Sequence, residues 1–330
     1  MTTPQLVTIF GGSGFLGRYV ARRMARRGWL VRVAVRRPNE ALFVRTYGEV
    51  GQVEPVQANI RDEASTRRAI TSAQAVVNCV GTFDRGGRNN FNAVHVEGAA
   101  RIARLAAEEG CGRLVHVSAI GADPDSSSRY GRSKAEGEQA VTAAFARATI
   151  LRPSILFGHE DQFFNRFAAM ARFSPVIPLV GAETRFQPVF VDDVAAAAEQ
   201  ALIWGAPGIY ELGGPEIATF RELIERMLVI IRRRRLILPL PFWLAQIQAS
   251  LLDTAAALSL GLVRNTVLTR DQVEMLKRDN VVAPGAKGFA DLGLTPTAMD
   301  AVLESYLYAY RPYGQFTEIT DSAAHLRAQD

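Results

Sequence analysis

The sequence predicts an α/β protein built on a doubly wound parallel sheet, followed by a smaller, mostly helical C-terminal lid. Three observations predict it. Short β-branched runs alternate with helical stretches from Leu6 to Pro153. Gly11, Gly14 and Gly17 join the first strand to the first helix at three-residue spacing. Past Pro153 the alternation weakens, and helices opened by capping pairs take over.

In order, Leu6–Phe10 reads as a buried parallel strand and Arg18–Arg27 as an amphipathic helix that Gly28 stops. Leu30–Val35 is the second strand. Val53–Ile60 is a weak third, with Pro55 pointing to an edge. Arg61–Ala73 is a helix, Ala75–Gly81 the fourth strand, Ala93–Glu109 a long helix closed by Gly110, and Arg113–Ser118 the fifth strand. A helix containing Tyr130 runs to about Phe145, and Thr149–Pro153 is the sixth strand. Beyond it, Gly158–Ala182 is loop and helix, and Asp192-Asp193 precedes an alanine-rich helix, Val194–Trp204, that it is placed to cap. Thr219 with Glu222, Thr269 with Gln272 and Thr297 with Asp300 open three more helices, the last ending near Tyr310. Residues 1–155 thus form a dinucleotide-binding domain, whose sheet also receives segments near 185–215. Residues 156–330 form a lid and docking region, expected over the C-terminal edge of the sheet where such folds bind ligands.

The dinucleotide reading comes from the glycines. Gly11 permits the tight turn, Gly14 lets backbone approach a pyrophosphate, and Gly17 lets the helix pack close to the strand. The helix N-terminus then offers unpaired N–H groups and partial positive charge to phosphate. One strand later an NAD site usually carries an acid for the ribose hydroxyls. Here Arg36-Arg37 stands instead, which suits the 2′-phosphate of NADP(H); the plainer alternative is a solvated basic turn before Pro38. Tyr130 and Lys134, four apart, share a helix face. A cation near the phenol lowers its pKa and makes it a proton donor or acceptor beside a nicotinamide, whereas on spacing alone an exposed Tyr–Lys pair is the plainer reading.

Composition bounds the partners. The chain has 330 residues, 48% of them apolar, and a net charge of +5 drawn largely from arginine clusters. That balance suits acidic partners, membrane phosphates or nucleotides, and no nucleic-acid motif accompanies it. Cys79 and Cys111 fit no metal or redox spacing, so free thiols in a reducing compartment are expected, with no metal. The first strand starts almost at Met1, which leaves no room for a signal or transit peptide. The apolar run after Arg232–Arg235 reaches to Val263 and is broken by Pro239 and Pro241, so it does not read as a spanning helix. Four arginines beside Leu236, Phe242 and Trp243 fit an interfacial segment; a core helix of the lid behind a solvated basic turn fits equally.

These residues together resemble the short-chain dehydrogenase/reductase superfamily, in its extended and atypical branches. The glycine loop, the Tyr130–Lys134 pair, Arg152-Pro153 and Val191-Asp192-Asp193-Val194 carry that resemblance. Ser126–Tyr130, Lys134–Glu138, Phe157–Asp161, Leu238–Pro241, Leu268–Glu274 and Tyr310–Tyr313 make the chain more closely similar to the NADPH-binding accessory subunits of respiratory complex I (NADH:ubiquinone oxidoreductase). That resemblance implies a tightly held NADPH touching Gly11, Ser13, Gly14, Phe15, Leu16, Arg36, Arg37, Asn59, Ile60, Val80, Gly81, Tyr130, Lys134 and Pro153. It further implies a heteromeric complex with other complex I subunits at the junction of the two arms, and a membrane lipid surface nearby. The seat it implies is peripheral, on the cytoplasmic face of a bacterial inner membrane or the matrix face in a mitochondrion. The chain departs from the catalytic pattern at Ile120, where a serine or threonine donor is expected, and at His95, where asparagine is usual. A lost preorganised donor commonly costs about a hundred- to a thousand-fold in rate. The expectation is a binding protein with no turnover of its own, against two alternatives: a soluble NADPH-dependent reductase or epimerase, and a redox-sensing regulator.

Overall fold

The structure, a computed structural model, describes residues 5–84, 86–258 and 269–314. In chain order its main elements begin with β1 (Leu6–Phe10), α1 (Phe15–Arg26), β2 (Leu30–Val35), β3 (Val53–Gln57), α2 (Glu63–Ile70) and β4 (Ala75–Asn78). They continue with α3 (Glu97–Glu108), β5 (Arg113–Val117), α4 (Arg129–Ala144), β6 (Thr149–Pro153), α5 (Phe164–Phe173), β7 (Val176–Val180) and α6 (Val191–Gln200). The last are β8 (Gly208–Leu212), α7 (Phe220–Ile230), β9 (Leu236–Leu240), α8 (Phe242–Leu258), α9 (Arg270–Met275) and α10 (Asp300–Leu307).

Two compact units emerge. One comprises Met1–Ser154, Val191–Gly213 and Val282–Pro296; the other comprises Ile155–Phe190, Gly214–Val281 and Thr297–Asp330. The first holds a seven-stranded sheet in the order β8-β6-β5-β4-β1-β2-β3, every pairing parallel. The order reverses between β1 and β4, which opens a crevice at the carboxyl ends of the strands. Pro55 sits in β3, an edge strand, where its missing N–H breaks no central ladder. Ile70, Ile102, Leu105 and Ile150 are fully buried in the core, each contributing about 1.5–3 kcal/mol by leaving water. Arg23 of α1 binds Asp192 at 2.7 Å and Glu199 at 3.1 Å on α6, and Arg27 also pairs with Glu199.

The second unit is organised around Phe157, Phe164, Ile177, Phe220, Met227 and Leu303. Its helices α7 and α9 start with complete capping boxes at Thr219–Glu222 and Thr269–Gln272. β7 and β9 pair in parallel as a two-stranded ribbon.

Several expectations are corrected in detail. The stretch before α3 is not regular helix: Asn92–Val96 forms a π-helical turn. Asp192 and Asp193 lie inside the first turn of α6 rather than ahead of it, because the helix begins at Val191. The last helix has Met299 at its N-cap position, two residues after Thr297. Val176–Val180 is a strand within a stretch expected to be loop and helix, and segment 282–296 belongs with the first unit. Leu268 and the end of the apolar run, 259–263, lie outside the described residues.

Candidate functional site

The site grows from the carboxyl ends of β1, β2, β4, β5 and β6. After β1 the chain turns at Gly11, whose φ of +74° suits glycine, and the Gly11 amide donates to Ala34 O at 3.1 Å. A Cβ on Gly17 would run into the Gly11 carbonyl, so α1 lies against this loop because residue 17 has no side chain. The Arg18 N–H donates to Gly14 O in the first helical bond, which leaves the amides of Phe15 to Gly17 as the unpaired first turn. The turn contains no acidic side chain, so its positive end stays available to an anion.

Arg36 and Arg37 follow β2, exposed, one strand away from this loop. Arg37 pairs with Glu40 at 2.9 Å, so of the two Arg36 is the better placed to read a phosphate. Sequence reasoning passed over Arg18. Its guanidinium donates to Gly14 O and Ser13 O and lies 5.1 Å from the centre of the Phe43 ring, beside the phosphate loop. The signal was its place directly after the third glycine.

On the other side of the crevice β4 ends in Asn78. Its Oδ1 accepts from the Val80 amide at 3.0 Å, and its Nδ2 meets Nδ1 of buried His116 at 3.1 Å. An amide donor at Nδ1 requires an unprotonated nitrogen there, and burial lowers the His116 pKa to about 3. This buried pair sets the path of Val80 and Gly81, and Val80 packs close to Gly11. Gly81 in turn approaches His95 Nε2 and Lys134 Nζ.

His95, on the π-helical turn, is a strut. Thr82 N–H donates to its Nε2 at 3.1 Å; its Nδ1 meets Ser133 Oγ at 2.9 Å; Ser133 Oγ donates to Tyr130 O at 2.8 Å. The imidazole is therefore neutral, as its pKa requires, pushed down to about 3 by burial and by the Lys134 charge. Lys134 is buried and donates to Val117 O at 3.2 Å; burial lowers its pKa to about 8, against the charge of Glu138. Glu138 is held by Arg152 of β6 at 2.6 Å. Beneath Lys134, burial pushes the Cys79 thiol up to about 12, which makes it inert.

Tyr130 is enclosed by rings. Phe83 stacks on it at 5.1 Å, while Phe91 and His95 meet it edge-on at 5.9 and 5.5 Å. Lys134 Nζ lies 5.8 Å from its centre. Ile120 is buried, its amide donating to Pro153 O at 3.0 Å, and no hydroxyl replaces the missing donor at that position. Nearby on the chain, Ser118 Oγ is buried and makes no hydrogen bond. Asn59 is fixed by Arg61 N–H and Ser65, and Ile60 packs on Gly98 of α3. The structure thus brings together Gly11 with Val80, Gly81 with Lys134, and Tyr130 with Lys134. Asn59 is bonded to Ser65 and Thr66 of α2, and Ile60 contacts α3 instead.

A dinucleotide fits this chain on three observations: the side-chain-free approach at Gly17, the uncompensated N-terminus of α1, and the orphaned Ser118 hydroxyl. Comparison with known proteins defines the class. The chain belongs to the NAD dependent epimerase/dehydratase family, whose pattern matches residues 7–213. More narrowly, it is similar to the mitochondrial "NADH dehydrogenase [ubiquinone] 1 alpha subcomplex subunit 9" of Arabidopsis thaliana. The two are 34% identical over 316 residues, 94% of this chain and 79% of that protein. It is likewise 32% identical over 307 residues to the mitochondrial "NADH-ubiquinone oxidoreductase 40 kDa subunit" of Neurospora crassa, covering 92% of this chain and 79% of that one. In fold it is similar to the dTDP-glucose 4,6-dehydratase of Bacillus anthracis, solved in complex with NAD (TM-score 0.70, 15% identity, 93% of this chain and 96% of that one).

Proposed function

We propose that this protein is an NADPH-binding accessory subunit of respiratory complex I that holds its cofactor without turning it over. One observation carries the proposal: a phosphate loop complete in every detail faces a reaction centre whose tyrosine is packed among Phe83, Phe91 and His95, beside Ile120. The 2′-phosphate falls to Arg36, with Arg18 and Arg37 alongside. The pyrophosphate falls to Ser13, Gly14, Phe15 and Leu16, and the nicotinamide half to Val80, Gly81, Tyr130, Lys134 and Pro153, with Asn59 and Ile60 flanking the adenine. NADPH supplies a transferable hydride when bound; the residues here bind and orient it, and Ile120 gives a substrate oxygen no donor.

The seat is peripheral, beside partner subunits at the arm junction and against lipid. It lies on the cytoplasmic face of a bacterial inner membrane, or on the matrix face in a mitochondrion. Support comes from α8, whose Trp243, Leu244, Ile247 and Leu251 lie within one helical face and are exposed, while Ala245 and Ala249 opposite are buried. Among the described residues no helix is long and apolar enough to cross a membrane. Native purification tests the reading. It predicts a large membrane-associated assembly with NADPH retained; a soluble monomer or dimer with exchanging cofactor overturns it. The reductase reading draws on the retained Tyr130–Lys134 pair and the lowered Lys134 pKa. Steady multiple turnover of any carbonyl would establish that alternative.

A further inference from the structure

At the C-terminus of α7 the backbone makes a Schellman turn. Arg233 N–H donates to Leu228 O at 3.1 Å and Arg232 N–H to Val229 O at 3.0 Å. The left-handed position of this motif is ordinarily glycine's, yet Arg232 occupies it at φ +53°. A cation near a helix C-terminus is favourable, but one or two satisfy the dipole and four follow here. With Arg221 they line a cavity of about 670 Å³, in which Glu225 is the single lining carboxylate among the described residues. Arg233 and Arg235 are held by carbonyl oxygens, Tyr310 O at 3.0 Å and Ala171 O at 2.7 Å, so their charges are aimed without being neutralised by an acid. Burial, with the like charges of Arg235 and Arg172 added, lowers the Arg233 pKa. Apolar side chains adjoin these cations: Val229 and Leu236 line the cavity, both largely exposed, and exposed Phe173 follows Arg172 on the helix that receives Arg235.

We infer that this cavity is a binding site for the phosphate headgroup of an anionic phospholipid, with the arginines on the phosphate and Val229 and Leu236 against the start of the acyl chains. The arrangement matches that ligand on both counts. Guanidinium forks suit phosphate oxygens, and a free inorganic ion has no use for the apolar rim. Leu236 and Leu238 share the exposed face of β9, whose next residue on that face, Leu240, packs with the α8 cluster, so the rim continues toward the exposed stripe of α8. The inference rests on the membrane-side seat proposed above, and sharpens it to one headgroup site.

The test uses the full chain and two kinds of vesicle, phosphatidylcholine alone and phosphatidylcholine mixed with phosphatidic acid, read by flotation. Wild type should bind the mixed vesicles and leave the neutral ones. Each arginine removed from the cavity should weaken binding about fivefold. Arg232→Gly is the first variant, because glycine suits that turn and the fold is kept; Arg234→Gln is added to it. Arg26→Gln with Arg147→Gln, which removes two exposed charges from the other unit, should cost less than twofold. An equal loss in that control overturns the site in favour of diffuse attraction, and equal binding to neutral vesicles overturns the headgroup. Inorganic phosphate raising the melting temperature of the wild type but not of Arg232→Gly, without any vesicle binding, overturns the lipid in favour of a soluble ion. Because the assay needs neither partner subunits nor cofactor, a chain that co-purifies with complex I yet ignores phosphatidic acid disproves this site and leaves the accessory role standing.

Discussion

Two sets of arginines are handled differently: those that join helices and strands of the first unit, and the run after α7 in the second. In the first, cations close onto carboxylates: Arg23 onto Asp192 and Glu199, Arg152 onto Glu138, Arg67 onto Glu108 at 2.6 Å and Glu109 at 3.0 Å. In the second, Arg233 and Arg235 end on carbonyl oxygens, which fix the direction of a guanidinium and leave its charge in place. The paired arginines join elements to each other; those after α7 are fixed in direction with their charge left uncompensated. The same contrast runs through the crevice at a smaller scale. Around Lys134 the polar groups are bonded to one another, while around Gly14 the amides remain open.

That contrast can be broken by mutation, and the largest effect belongs to the closed pairs. Glu138→Ala leaves Arg152 only its longer pair with Glu211 at 3.4 Å and should cost about 3 kcal/mol in urea unfolding, the low end for a broken buried pair because that partner remains and the Arg152 side chain is 20% exposed. Arg36→Asp should leave folding untouched and weaken NADPH by about 1.5–3 kcal/mol relative to NADH, measured by titrating both; an unchanged preference would remove Arg36 from the phosphate. Stability should also depend on pH. Unfolded histidine titrates near 6.5, while His95 and His116 stay neutral down to about 3. Between those values the unfolded chain takes protons that the native one refuses, so the urea midpoint should fall as pH drops below about 6.5. The Lys134 window has the same sign: its pKa is about 8 in the fold against 10.5 free, so stability should rise across that interval. A His116→Gln variant should show a shallower acid loss. Smallest of all, Arg232→Gly should gain about 1 kcal/mol, because an L side chain leaves the left-handed region, and a loss there would mean that the side chain itself holds α7 in place.

Much of this was legible beforehand. The strands of the main sheet are written in β-branched runs, and the glycine spacing announces the phosphate loop because each glycine answers a separate local constraint. Ile120 and His95 were visible as departures since a hydroxyl or amide was expected there. What stayed hidden is what depends on contacts distant in sequence. The stacking of Phe83 on Tyr130 joins a loop to a helix 47 residues later, and no periodicity encodes it. The π-helical turn at Asn92–Val96 has the same composition as ordinary helix; it differs by one residue of register, set by the strut through His95. β7 carries Pro178, which a two-stranded ribbon tolerates and a central strand does not.

That ribbon also bears on how copies of the chain are kept from joining edge to edge. A short parallel pair with leucines at Leu236 and Leu238 exposes the kind of edge onto which another chain can add a strand. Pro178 lies in one strand and Pro239 in the other, and proline is accommodated in a strand where its missing donor faces outward. Each outer edge therefore lacks a hydrogen-bond donor that an incoming strand would need. The chain can then carry this greasy surface without polymerising through it.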